Sequence, residues 1–395
     1  MESLRIKYLQ KRAQTRTETV RDFIRRIDWR DRFIGIKGMR GAGKTTLALQ
    51  YAALHLPADQ SLYASLDDLY FRRNGLYSLC AQFVQEGGVW LLLDEVHRYA
   101  GWSQELKLAY DDFPGLRVLF TGSSMIHLAD SSGDLSRRAV VYELPGLSFR
   151  EYLQFSLGYQ HPVLSWEELL RDHQPIAVEI CRHLKPLAHF GTYLRSGYLP
   201  FFLENPDTYL HKLAETVNLV LETDFPALYG TSYPTVDKLK TLLAVIAERV
   251  PFKPNIQKLS EQTGLARNSL VEHLHHLEDA GLLRLLHRDA SGITRLQKPE
   301  KIYLANPNLA FALHPARPDT GSLRESFFLS QMPPGLQVRY TESGDFRAGA
   351  YTFEVGGAGK GFRQLQGAEH GYVAADQLEI GAGRKIPLWM FGLLS

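Results

Sequence analysis

Between Arg32 and about residue 145, short apolar runs alternate with stretches whose apolar residues recur at helical spacing. Arg32 to Lys37 (R-F-I-G-I-K) predicts a short buried strand, and Thr46 to Leu54 predicts the helix that follows. Val89 to Leu93 is a near-continuous apolar run, the pattern of a central parallel strand covered on both faces. Leu116 to Thr121 and Ala139 to Glu143 predict two further strands. Alternation of this kind gives an α/β architecture, a parallel sheet with covering helices. Beyond it the pattern turns helical through 150–230, punctuated by Pro162, Pro175 and Pro186, and then becomes mixed.

Residues 235–312 carry the pattern of a winged helix. Asp237 to Val250 presents Leu239, Leu242, Leu243 and Ile246 at helical spacing, and Ile256 to Thr263 makes a short second helix. Gly264 supplies the turn, and Asn268 to Ala280 forms a third helix buried through Leu270, Leu274 and Leu277. A hairpin is expected from Leu282 to His287 and Ile293 to Tyr303, joined around Ser291-Gly292. In DNA-binding relatives of this arrangement the helix after the tight turn enters the major groove. Its start here would present Arg267, Asn268, Ser269 and His273 to DNA. Glu261, Glu272, Glu278 and Asp279 would repel phosphate, and a protein-packing role stays equally open.

The chemistry concentrates where the first strand meets its helix. Gly38-Met39-Arg40-Gly41-Ala42-Gly43-Lys44-Thr45 fits the phosphate loop G-x-x-x-x-G-K-[ST] in the strand–loop–helix context that the motif requires. Glycines 38, 41 and 43 allow backbone to approach phosphate where a Cβ would block it. The backbone from Gly38 to Thr46, with Arg40 and Ala42, would wrap the phosphates of ATP at a helix N-terminus. Lys44 would reach the β- and γ-phosphates, and the Thr45 hydroxyl would ligate Mg²⁺.

Asp94 and Glu95 close the apolar strand, and ligands in such sheets bind beyond the carboxyl ends of strands. Asp94 would hold Mg²⁺ and Glu95 would orient the attacking water. Ser123, with Thr121 second, is the candidate for a hydroxyl beside the γ-phosphate. Arg138, with Arg137 as runner-up, is the candidate arginine finger acting on a neighbouring subunit in an oligomer; a surface arginine pair is the competing reading.

These segments resemble the prokaryotic AAA+-type ATPases that carry a C-terminal domain of unknown function. The loop, L-L-L-D-E-V-H at 91–97, L-F-T-G-S-S at 119–124 and Y-E-L-P-G-L-S-F-R-E-Y at 142–152 carry the resemblance. It extends through Tyr193 to Pro200, Lys301 to Leu304 and Phe353 to Gly357. The resemblance implies a P-loop sheet of strand order 5-1-4-3-2, a winged-helix segment and a C-terminal domain similar to restriction-type nucleases. The expected division is 1–150 ATPase core, 151–234 helical lid and linker, 235–312 winged helix and 313–395 nuclease-like domain.

That last domain offers an acid on a helix, Glu325, followed by Asp345 and by Glu354 on a strand. Restriction-type nucleases set such carboxylates around Mg²⁺ with a lysine two residues beyond the last acid. Here that position is Gly356, so the domain reads as inactive, with Lys360 as the alternative source of the amine.

Composition narrows the class without changing the picture. A chain of 395 residues can hold two or three domains, and 45% hydrophobic with 22% charged residues is ordinary for a soluble protein. No apolar run approaches the roughly eighteen residues of a membrane span, so no membrane partner is expected. Cys80 and Cys181 give neither a disulfide framework nor zinc spacing, which fits a reducing cytoplasm. A net charge of +2 does not advertise a nucleic-acid binder, although residues 1–37 hold eleven Lys/Arg against five Asp/Glu. That excess suits either phosphate contact or a solvated amphipathic helix. The sequence therefore predicts an Mg²⁺-dependent ATPase whose nucleotide state repositions its C-terminal domains. The alternatives are a DNA-binding regulator that uses ATP as a switch and an ATP-controlled nuclease.

Overall fold

The apolar runs expected as strands pair side by side in the computed structural model, which describes residues 1–123, 125, 135–248, 250–288, 298–314 and 318–395. The chain divides into two compact units, residues 1–145 with 227–230 and residues 146–226 with 231–395.

The first unit opens with helix α1 (Glu2–Gln14) and is built on strands β1 (Phe33–Gly38), β2 (Ser61–Ser65), β3 (Trp90–Asp94), β4 (Arg117–Ser123) and β5 (Ala139–Glu143). All pairings are parallel, in the order β2-β3-β4-β1-β5. Read from the other edge this is 5-1-4-3-2, the order that the resemblance implied. Helices α2 (Lys44–His55), α3 (Leu76–Gln85) and α4 (Trp102–Asp112) connect the strands. Every residue of β3 is buried, as a central strand covered on both faces requires. Gly35 in β1 exists because a Cβ there would lie 2.6 Å from the ring of Phe120 and 2.9 Å from Val141.

The N-terminal charge excess has a structural use. Leu4 and Tyr8 of α1 are buried, and the Tyr8 and Ser61 hydroxyls lie 2.7 Å apart. Arg12 donates to the carbonyls of Ala52 at 2.8 Å and Leu56 at 2.7 Å, the last carbonyls of α2. A cation there satisfies orphan acceptors and opposes the negative end of the helix dipole.

The second unit begins with α5 (Phe149–Leu157), α6 (Trp166–His183), α7 (Pro186–Ser196) and α8 (Tyr209–Leu219). Ser148 with Glu151 and Ser165 with Glu168 form capping boxes that start α5 and α6. A π-helical turn (Val220–Asp224) leads from α8 into α9 (Phe225–Tyr229).

Three helices then follow: α10 (Tyr233–Ala247), α11 (Ile256–Thr263) and α12 (Arg267–Asp279). Gly264 caps α11 in the left-handed conformation at φ 68°. The first helix starts four residues earlier than its apolar spacing suggested, because Pro234 occupies its first turn after Ser232. Among the described residues the expected hairpin is β6 (Leu283–Leu286) paired antiparallel with β7 (Lys301–Leu304). Its Ser291-Gly292 turn and residues 293–297 lie outside the described residues.

After α13 (Pro307–Leu313) and α14 (Thr320–Ser330) comes a second sheet of β8 (Val338–Arg339), β9 (Phe346–Ala348), β10 (Tyr351–Gly356), β11 (Gly371–Ala375) and β12 (Lys385–Pro387). The strands keep sequence order across the sheet, antiparallel from β8 to β10 and parallel from β10 to β12. Phe328 of α14 stacks on Phe346 with centroids 5.2 Å apart and also meets Phe353, which fixes α14 across β9 and β10. Among the described residues no helix is long and apolar enough to cross a membrane.

Candidate active site

The glycine loop leaves β1 at Gly38 and enters α2 at Lys44. Gly38 packs so closely on the strand beyond β5 that a Cβ would sit 2.4 Å from the Leu144 carbonyl oxygen. Gly41 and Gly43 hold φ of 85° and 94°, which a side chain resists. Gly43 is the N-cap of α2, so the helix N-terminus opens directly onto the loop.

Lys44 is buried, and its Nζ donates to the carbonyls of Gly38 at 2.8 Å and Met39 at 3.2 Å. Ala42 is buried and Thr46 is exposed in the first turn of α2. Arg21 holds the loop from behind, donating to the Ala42 carbonyl at 3.2 Å and to Pro145 at 2.8 Å.

Asp94 ends β3 beside this loop and accepts three hydroxyls. Thr45 Oγ1 donates at 2.8 Å to Oδ2, Tyr63 donates at 2.7 Å to the same oxygen, and Thr121 donates to Oδ1. Burial, and then the Asp94 charge, raise the pKa of Tyr63, so it remains a donor. Sheet order explains the gathering: β2 and β4 flank β3, so Tyr63 and Thr121 reach the carboxylate from both sides.

Glu95 takes the left-handed conformation at φ 54° and ψ 44°, rare for a residue with a side chain. Its N–H donates to Thr121 Oγ1 at 3.3 Å. His97, with a side chain only 1% exposed, places Nε2 3.4 Å from Glu95 Oε2. Its Nδ1 accepts from the Ser123 N–H at 3.4 Å. Burial first, then the charges of Arg98, Lys44 and Arg40, push the His97 pKa down to about 3, so the ring is neutral.

Lys44, Thr45, Asp94 and Thr121 thus belong to one contiguous set. The Ser123 hydroxyl instead accepts from the Met125 N–H at 3.4 Å, and Thr121 is the β4 hydroxyl that meets the carboxylate. Arg138 is engaged with Asp111 of α4, at 2.9 Å through Nε and 3.1 Å through its terminal nitrogen. Arg137 lies in the 3₁₀ turn before β5. Motif reasoning passed over Arg21, Tyr63 and His97. Only His97 left a trace, two positions after Glu95.

Residues 30–153 match the family described as an AAA domain. That match spans the glycine loop, at which α2 points its N-terminus and in which the Lys44 amine is folded. Thr45 and Asp94 are the oxygen donors that would hold Mg²⁺ if it accompanied a phosphate here. Residues 188–320 match a domain of unknown function (DUF8612). No curated protein matches the sequence.

Solved structures similar to this chain include PCH-2 of C. elegans, at 18% identity and TM-score 0.25 over 38% of this chain and 44% of that one. A DNA replication initiation factor matches at 12% identity and TM-score 0.25, over 65% of this chain and 84% of that one. NtrX from Brucella abortus, solved in complex with ADP, matches at 16% identity and TM-score 0.26, over 69% and 71%.

The second unit gathers a separate set of charges. Tyr303 donates to Glu325 Oε2 at 2.8 Å, and Lys301 Nζ lies 4.0 Å from that oxygen and 3.7 Å from Asp345 Oδ1. Asp345 Oδ2 accepts the Val355 N–H at 2.9 Å. Lys360 folds back over Gly356, where a Cβ would be 2.8 Å from its side chain, and pairs with Glu354 Oε1. The absent side chain at 356 is what lets this lysine through. Glu354 is 1% exposed, and its Oε2 lacks a hydrogen-bond partner among the described residues. Burial, then Asp345, pushes the Glu325 pKa up to about 7. Among the described residues no group of three or more His, Cys, Asp or Glu is arranged to hold a metal ion.

Of the residues expected to meet DNA, Arg267 and Asn268 are exposed at the start of α12. The Ser269 hydroxyl is turned onto the Ala266 carbonyl at 3.1 Å. His273 is half-buried, and burial lowers its pKa.

Proposed function

We propose that this protein binds ATP with Mg²⁺ and hydrolyses it, and that its nucleotide state repositions the C-terminal elements. The observation that carries the reading is the joining of loop and strand at one carboxylate, Thr45 Oγ1 to Asp94 at 2.8 Å, with Lys44 folded into the same loop. Lys44 would exchange the carbonyls of Gly38 and Met39 for phosphate oxygens. Mg²⁺ held by Thr45 and Asp94 would offset the phosphate charge. Glu95 would orient the attacking water and take its proton, a contribution of about 10²- to 10⁴-fold for a general base. The remaining acceleration would come from positioning and charge.

The test uses purified full-length chain. Lys44→Ala should lose nucleotide binding, and Glu95→Gln should bind and keep only a residual turnover, about 10²- to 10⁴-fold slower. Phosphate release at the wild-type rate in either variant overturns the assignment of roles.

One contact favours a second reading, an ATP-controlled nuclease. Lys360 reaches Glu354 across Gly356 and so supplies the amine whose usual position is empty. Plasmid incubated with Mg²⁺ or Mn²⁺, with Glu354→Ala as control, decides this. Equal outcomes for the two chains sink it.

A further inference from the structure

Glu95 presents a physical problem that the hydrolytic reading leaves open. Its backbone sits at φ 54°, a conformation unfavourable for a non-glycine residue that persists only where the surroundings impose it. A carboxylate on such a residue, 23% exposed at the edge of the site, must keep one orientation to act as a base. The His97 ring lies against it, buried to 1% exposure on the 3₁₀ turn that follows β3.

The two nitrogens of that ring are assigned by their surroundings. The Ser123 N–H points at Nδ1 from 3.4 Å, so Nδ1 carries the lone pair. The hydrogen of the neutral ring is then on Nε2, which faces Glu95 Oε2 from 3.4 Å. The Nε2 contact does not have hydrogen-bond geometry in this structure, and both separations exceed the usual 2.7–3.2 Å of an N–H hydrogen bond. Catalytic contacts are often this long before substrate arrives and tighten in the complex.

We propose that His97 is a positioning residue, whose imidazole ties the Glu95 carboxylate to the backbone amide at the tip of β4. The inference rests on the ATPase reading and deepens it. The tip of β4 also carries Thr121, which donates to Asp94 and accepts from the Glu95 N–H. Two links, one through Thr121 to the Glu95 backbone and one through His97 to its side chain, therefore fasten the base to the same strand. A shift of β4 would move Glu95 with it. A base misplaced by about 1 Å can cost on the order of 10²-fold in rate.

The experiment compares His97→Ala, His97→Gln and Glu95→Gln, alone and with His97→Ala combined with Glu95→Gln, in the full chain. Glutamine places its amide nitrogen as far from the backbone as Nε2 and keeps a donor toward Glu95. His97→Ala should lower kcat by about 10- to 100-fold, leaving KM and the dissociation constant for ATP within about twofold. His97→Gln should recover most of that loss. In the Glu95→Gln background His97→Ala should change nothing further, because the group it positions is already gone.

Normal kcat in His97→Ala defeats the inference while leaving the ATPase reading intact. So does a folded His97→Gln variant as slow as His97→Ala, which marks the ring as packing only. Equal losses from His97→Ala with and without Glu95 also defeat it. A wild-type chain without turnover defeats the ATPase reading and this inference together.

Discussion

Lys360 crosses the bare Cα of Gly356 and ends on the carboxylate of Glu354. The acid is 1% exposed and retains a second oxygen without a hydrogen-bond partner among the described residues, so the lysine, one-third exposed, is its charged counterpart at the surface end of the pair. Removing one member of such a pair strands the other, and that loss exceeds the net worth of the pair. Lys360→Met should destabilise the chain by about 1–3 kcal/mol, the cost of an unmatched buried polar group. Adding Glu354→Gln should return part of the loss. Urea denaturation of the three variants measures both effects, and additive losses would show that the contact is incidental.

Glu95→Gly separates stability from activity. Glycine accepts φ 54° without strain, so the folded state should gain about 1 kcal/mol or lose none. Turnover should fall by about 10²- to 10⁴-fold because the carboxylate has gone. A melting temperature well below wild type would mean that the contact with His97 outweighs the backbone strain.

Gly38→Ala should damage the loop at its root. The added Cβ would sit 2.4 Å from the Leu144 carbonyl oxygen, and backbone, unlike the end of a side chain, has little room to yield. Overpacking of this kind costs about 1–3 kcal/mol. Nucleotide affinity should fall with it, measurable by titration with a fluorescent ATP analogue. The same substitution at the exposed Gly359, where nothing lies within 4 Å, is the control.

Glu325 makes stability depend on pH. Burial and Asp345 push its folded pKa from the ordinary 4.5 up to about 7. Between those values the folded chain binds more protons than the unfolded one, so this group's contribution falls as pH rises from about 4.5 through about 7. Glu325→Gln preserves an acceptor for the Tyr303 hydroxyl and removes the titration. The variant should therefore gain stability over wild type above pH of about 7, with no such gain near pH of about 4.5. Parallel stability curves across that window would contradict the prediction.

The strands of the first unit were legible because β1, β3 and β4 are apolar runs with no competing period, and the glycine loop between β1 and α2 demands a single context. Lys44, Thr45 and Asp94 could be named for the same reason. What escaped was set by neighbours distant in sequence. Tyr63 reaches Asp94 only because β2 lies beside β3, and His97 acquires its partners only when β4 brings Ser123 alongside. The reach of Lys360 stayed an alternative in the sequence because the five residues between it and Glu354, three of them glycine, carry no periodic signal; the packing on Gly356 decides it. Arg138 reads as an arginine finger or a surface arginine in the sequence, whereas Asp111 of α4 takes one edge of its guanidinium, through Nε and a terminal nitrogen.

Arg12 grips α2 by its far end, fastening to the carbonyls of Ala52 and Leu56 while the near end cradles the glycine loop. The front of the chain is therefore a tether on the rod that carries the glycine loop. Cutting away the first fourteen residues would leave that rod anchored at one end only, and slack introduced at Ala52 and Leu56 would be felt at Lys44, where the rod begins.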